Sequence, residues 1–414
     1  MTNKKISSIR AFETLDSRGN PTITVHLALE GGAYGVASVP SGASTGEYEA
    51  TERRDGEPSR YGGHGTRGVC TDIEAVLLPK IRGIDASAQS VLDRCLCELD
   101  GTGNKSKFGA NALLAISLAA ARAAANAYEM PLYRYLGGIY GSVSMPVPMM
   151  NILNGGRHAD NNIDIQEFMI VPVGADNISE AVRIGSEIYQ ALRTLLHSRG
   201  LATSVGDEGG FAPDLSDDEA AIECILTAIQ QAGYTTDTVK LALDVAASEW
   251  AHGDLYSLPG RGLLLTSDEL IAKFLGWCDR YPILSIEDPV GENDISGWRK
   301  ITELLGKKIM LVGDDLFVTN SSRLHNGIQE GLANAILIKP NQIGTLSEAL
   351  GAIRLAHTKG YQTIISHRSG ETSDTFISDI AVATGAGFLK AGAPARGERV
   401  AKYNRLIQID RLLS

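Results

Sequence analysis

The later part of the chain, residues 139–414, predicts an α/β fold closed into a β/α barrel, and three observations carry that expectation. Short apolar runs alternate with amphipathic stretches. The runs are apolar throughout, as strands covered on both faces are. Six of them in succession end in an ionisable residue. The runs lie at 168–173, 241–243, 283–286, 309–312, 335–338, 363–365 and 387–389. Between them, Ser216 with Glu219 and Thr345 with Glu348 have the spacing of helix capping boxes, and Gly233 and Gly360 stand near the far ends of those helices. Strand–helix alternation implies a parallel sheet, and a stretch of this length suits a closed barrel better than an open sheet.

Ahead of the barrel, residues 1–138 read as a smaller α+β capping domain. Residues 22–29 alternate in character like a half-buried strand, and 34–39 supply a partner after the Gly31-Gly32 turn. The Ala-rich stretch 111–127 is a helix apolar enough to be largely buried. Gly137, Gly138, Gly141, Pro146 and Pro148 mark the seam.

Composition narrows the function classes. The chain has 414 residues, 43% of them hydrophobic, and a formal net charge of -11, which repels nucleic acid but leaves room for a small anion in a locally cationic cleft. The five cysteines are odd in number and form no CxxC pair, so they read as reduced thiols in a cytoplasmic protein. Residues 1–9 lack the apolar segment of a signal peptide, and no run reads as a membrane span.

The strand ends carry the chemistry. Asp244, Glu287 and Asp314 come first, then Lys339, His367-Arg368 and Lys390. In a barrel these ends converge on the face where active sites of this architecture sit. Three crowded carboxylates repel one another unless a cation lies among them, and an all-oxygen set favours magnesium. Opposite them, Lys339 next to a divalent ion and another cation is suited to act as a general base, and Arg368 to grip phosphate or carboxylate. The run 366–372, with its hydroxyls (Ser369 among them), imidazole, guanidinium and glycine, is phosphate-binding chemistry. Glu208, inside Gly206-Asp207-Glu208-Gly209-Gly210, looks held at a cleft by tight backbone, and Glu167 ends the segment 151–167. By itself, His158 within that segment reads more often as a satisfied structural histidine. A metal-bound carboxylate substrate, one lysine base and one buried acid describe loss of an α-proton followed by a β-leaving group.

These residues, with the segments DSRGNPT at 16–22, PSGASTG at 40–46, LDGT at 99–102, NKSK at 104–107, SIEDP at 285–289 and GAP at 392–394, are those by which the chain resembles the enolases from about Ile9 onward. The resemblance implies an enolase-type barrel behind a three-stranded meander with helices, and a homodimer. It implies two magnesium ions per site: Asp244, Glu287 and Asp314 hold the first, and Ser44 helps hold a second that arrives with substrate. It gives Lys339 the role of base, Glu208 that of acid supported by Glu167, Arg368 and Ser369 the phosphate, Lys390 the substrate carboxylate side, and His158 and His367 places in the active site. The implied reaction is reversible dehydration of 2-phosphoglycerate to phosphoenolpyruvate. Departures from the family pattern at Arg157, Ala391, Ser373 and Arg53, and an end at Ser414, bear on the substrate rather than the chemistry. Arg157 in particular suggests a second reading, a paralogue that dehydrates a phosphonate or carboxylated analogue, such as a carboxyphosphonoenolpyruvate synthase. A binding protein that merely keeps the fold is a third reading, and it does not require all of Lys339, Glu208 and the three acids.

Overall fold

The computed structural model describes residues 3–42, 46–138, 143–253 and 255–413, so Ser44 and Gly141 lie outside the described residues. The chain opens with an antiparallel meander of β1 (Ile6–Leu15), β2 (Pro21–Leu29) and β3 (Tyr34–Ser38). In β2 the buried side chains of Ile23, Val25, Leu27 and Leu29 recur at every second residue. β1 escaped the sequence reading because only Ile6 and Ile9 of its ten residues are buried, which leaves no alternation to detect. The helix Ala110–Ala127 lies against β2 and β3, and its small alanine side chains let it sit close to them. By length and mean hydropathy it could cross a membrane, contrary to the expectation that no run could, but 83% of it is buried inside the protein.

The barrel begins with β4 (Val147–Asn154), β5 (Glu167–Val171) and β6 (Lys240–Asp244). A small antiparallel sheet of β7 (Ala251–His252), β8 (Leu255–Leu258) and β9 (Leu263–Thr266) follows. The circle is completed by β10 (Ile283–Glu287), β11 (Met310–Gly313), β12 (Ala335–Ile338), β13 (Gln362–Ser366) and β14 (Phe388–Lys390). The closed order is β10-β11-β12-β13-β14-β4-β5-β6.

Two features add to the sequence reading. Of the described residues read as a seam, only Pro148 stands within a strand, at the second position of β4. And β5 is antiparallel to both neighbours. Only residues 155–166 join it to β4, with one short turn at Gly156–His158 and no crossover helix to carry the chain back for a parallel pairing. Helix caps differ in detail as well. Asp217 rather than Ser216 caps Asp218–Gln231, accepting from Ala220 N at 2.8 Å. Thr345 caps Leu346–Thr358 as expected, and the reciprocal box belongs to Thr266 and Glu269 before Ser267–Arg280.

Candidate active site

The mouth of the barrel, at the strand C-terminal ends, holds a polar cavity lined by Glu49, His158, Glu167, Glu208, Asp244, Asp314, Lys339, His367, Arg368, Ser369 and Lys390 among others. Asp244, Glu287 and Lys390 are the last residues of β6, β10 and β14; Asp314, Lys339 and His367 directly follow β11, β12 and β13. The run of acids and then bases read along the sequence is thus a ring in space.

Two lysines neutralise the acids. Lys390 Nζ, 2% exposed, lies 2.8 Å from Asp244 Oδ2, 2.9 and 3.0 Å from the Glu287 oxygens and 3.3 Å from Glu167 Oε1. Burial alone would lower its pKa, but Asp244, Glu167 and Glu287 together raise it well above the usual lysine value. Lys339 Nζ contacts Asp314 Oδ2 at 2.5 Å. Burial disfavours its charge and Arg368 and Lys390 press the same way, yet with no ion among the acids the facing Asp314 prevails and raises its pKa. Asp314, despite burial, is held low by Lys339. Glu287 is raised, first by burial and then by the charge of Asp244. The ammonium groups already do for these carboxylates what a cation would, and a hard, all-oxygen donor set on adjacent strand ends fits a divalent ion.

The second wall is a carboxylate pair. Glu208 sits in the turn 206–210, where a Cβ on Gly206 would come within 2.3 Å of His158 O, so only glycine lets the two loops approach so closely. The ligand atoms of His158, Glu167 and Glu208 all lie within 4.8 Å of one another. Burial and the charge of Glu208 push Glu167 well above the usual range, and one oxygen, Oε2, has no hydrogen-bond partner. Glu208 is buried too, but His367 and His158 facing it hold it well below that range. The two neighbouring acids are thus pushed in opposite directions, Glu167 up and Glu208 down. Burial lowers the pKa of His158, so its ring is neutral, 3.6 Å from Glu167 and 3.9 Å from Glu208.

Arg368 and Ser369 line the cavity, and the guanidinium donates to Glu49 at 2.9 and 3.3 Å. Arg157 does not join them. It turns to the rim, where Nε meets Glu249 at 3.0 Å with the side chain 55% exposed. Arg53, another departure, pairs with Asp72 at 2.6 Å.

Several neighbours of the site were not singled out from sequence. Gln342 donates to Asp314 Oδ1 at 2.8 Å and accepts from Thr319 at the same distance. Asn151 donates to Glu208 at 3.1 Å, and Gln166 to Asp244 at 3.4 Å. Asp288 accepts the backbone N–H of Asp314 at 3.0 Å. Of these, Asp288 stood inside a quoted segment; the amides carried no signal, since an uncharged polar residue beside a strand end is common.

A β/α barrel whose mouth combines a carboxylate trio, two lysines and a buried acid pair is equipped to hold a cation and to move protons, as an enzyme of the lyase class requires. Comparison with known proteins names the family. Residues 6–136 match the enolase N-terminal domain and residues 142–414 the enolase C-terminal TIM barrel domain. The enolase of Natranaerobius thermophilus is 57% identical over 405 residues, spanning 98% of this chain and 94% of that protein. The chain belongs to the enolase family, and its activity is that of a hydro-lyase.

Proposed function

We propose that the chain interconverts 2-phosphoglycerate with phosphoenolpyruvate and water. The observation that carries this reading is one cavity lined by Lys339 and by the Glu167–Glu208 pair, with Asp244 and Asp314 in its wall and Glu287 beside them at the end of β10. Lys339, once neutral, takes the C2 proton; the C2–H electrons form the C2–C3 double bond; the C3–O bond breaks, and the hydroxyl leaves as water with the proton held by the acid pair. A magnesium ion held by Asp244, Glu287 and Asp314 would supply positive charge opposite the substrate carboxylate and relieve Lys339 of the Asp314 charge that keeps it protonated. Arg368 and Ser369 bind the phosphate, Lys390 supports the carboxylate side, and His158 and His367 flank the acids. Ser44 remains the ligand that the resemblance implies for a second ion entering with substrate. The same resemblance supports a homodimer, and the five free cysteines support a reducing, cytoplasmic setting for this step of glycolysis.

The phosphonate or carboxylated-analogue reading is not favoured. It needed Arg157 to offer the cavity another cation, but that guanidinium is engaged by Glu249 at the rim. Turnover of 2-phosphoglycerate with magnesium, followed by the ultraviolet absorbance of the enol product, tests the proposal. Rapid turnover is the expected result, and inactivity with 2-phosphoglycerate alongside turnover of a carboxylated phosphonate would overturn it.

A further inference from the structure

Arg399 does not line the cavity, yet it is fully buried on the helix Gly397–Leu413 behind it. Nη1 donates to His367 Nδ1 at 2.6 Å and to Arg368 O at 2.5 Å. Nη2 donates to Ser369 O at 2.5 Å, Asp207 O at 3.0 Å and Ser17 Oγ at 3.5 Å. One guanidinium thus ties the turn that carries Glu208 to the run that carries His367, Arg368 and Ser369. The approach is close: a Cβ on Gly392, at φ +80°, would stand 2.8 Å from Glu208 O, 2.9 Å from Arg399 Cδ and 3.0 Å from His367 Cε1.

A guanidinium has donors and no acceptor. The ring nitrogen it meets must therefore accept, so Nδ1 of His367 carries no proton, and a neutral ring holds its proton on Nε2. Burial keeps the ring neutral, drawing its pKa down to about 4 against the opposing charge of Glu208. Arg399 and Glu208 face the ring directly, and the charge of Glu371 is also felt there. Nε2 stands 3.2 Å from Glu208 Oε2, off the line of a straight hydrogen bond, and Asn151 Nδ2 donates to the same oxygen at 3.1 Å.

We propose that Arg399 is a positioning residue for the acid side of the site: by donating to Nδ1 it fixes His367 as the Nε2–H tautomer, so that Glu208 always faces a donor. Without the guanidinium the ring can carry its proton on Nδ1 instead, turning a lone pair toward a carboxylate that also accepts. The consequence for catalysis rests on the lyase reading above; the tautomer itself does not.

The test is nitrogen-15 NMR of histidine-labelled wild-type enzyme, with His367 assigned by the loss of its signals in His367→Gln. At neutral pH the ring should show a protonated Nε2 and an unprotonated Nδ1; an Nδ1–H tautomer or a doubly protonated ring would overturn the proposal. Arg399→Met, if folded, should mix the tautomers and lower kcat about tenfold or more with little change in KM. Arg399→Lys, which keeps a donor, should restore the Nε2–H form at least in part. An unchanged tautomer in a folded Arg399→Met variant would also refute it. If Arg399→Met does not fold, the wild-type spectrum alone decides, and failure to turn over 2-phosphoglycerate would leave that spectrum unaffected.

Discussion

Replacing Lys390 with Met removes the ammonium that contacts Asp244, Glu287 and Glu167 at 2.8–3.3 Å, all of them buried. Methionine fills much of the space, so the loss is mainly electrostatic. Breaking a buried pair by removing one partner costs about 3–5 kcal/mol, because the other charge is left uncompensated. The cost should depend on pH. Glu287 and Glu167 are already raised, by burial and by neighbouring carboxylates, and Lys390 is what restrains them. In the variant both rise further. A carboxylate whose folded pKa exceeds its unfolded value destabilises the fold above the unfolded value, and the penalty is relieved as pH falls through the folded one. The deficit in urea unfolding should therefore be largest near about pH 8 and shrink toward about pH 5.5, above the ordinary carboxylate range of about 4. Magnesium should restore part of the stability at the higher pH, since it can compensate the same carboxylates. A deficit equal at both pH values and indifferent to magnesium would refute the view that Lys390 stands among the acids as a cation.

Lys339→Ala should abolish exchange of the C2 proton of 2-phosphoglycerate with solvent, whereas Glu208→Gln should retain exchange and lose dehydration. Deuterium incorporation followed by NMR separates the two, and exchange persisting in the Lys339 variant would remove it as the base. Arg157→Ala should change kcat/KM for 2-phosphoglycerate only a few-fold, because its partner Glu249 and the guanidinium are both substantially exposed and such pairs contribute about 0–1 kcal/mol. A tenfold loss would instead place that guanidinium on the substrate.

The charged members of the site were legible because each closes an apolar run; neither an acid nor a lysine has a packing reason to follow 283–286 or 335–338. What such a rule cannot supply is the state of those charges. Lys339 was read as facing a divalent ion and another cation, and the contact that sequence could not show is with Asp314, which raises its pKa where no ion lies between them, a pairing set by three-dimensional distance rather than spacing. The last helix was silent for a related reason. Arg399 and Lys402 look like its solvated face, but they share the buried side with Tyr403, Leu406 and Ile409, and Lys402 donates to Glu371 at 2.7 Å. Charge on a helix signals solvent unless a buried carbonyl or carboxylate lies opposite, and sequence does not show what lies opposite.

The one strand that breaks the parallel pattern accounts for the site's second acid. In a parallel barrel each strand offers its last residue to the mouth, and β5 would present Val171. Because β5 runs the other way, its first residue lies there instead, with Glu167 in register with Asp244 at the end of β6. Turning the strand around would carry Glu167 four residues down the barrel, roughly 13 Å at about 3.3 Å per residue, well beyond reach of Lys390 or Glu208. The short 155–166 connection that forces the reversal also bears His158, which lies against the same acids. The departure from regular topology is thus what brings Glu167 within 3.3 Å of Lys390 at the barrel mouth.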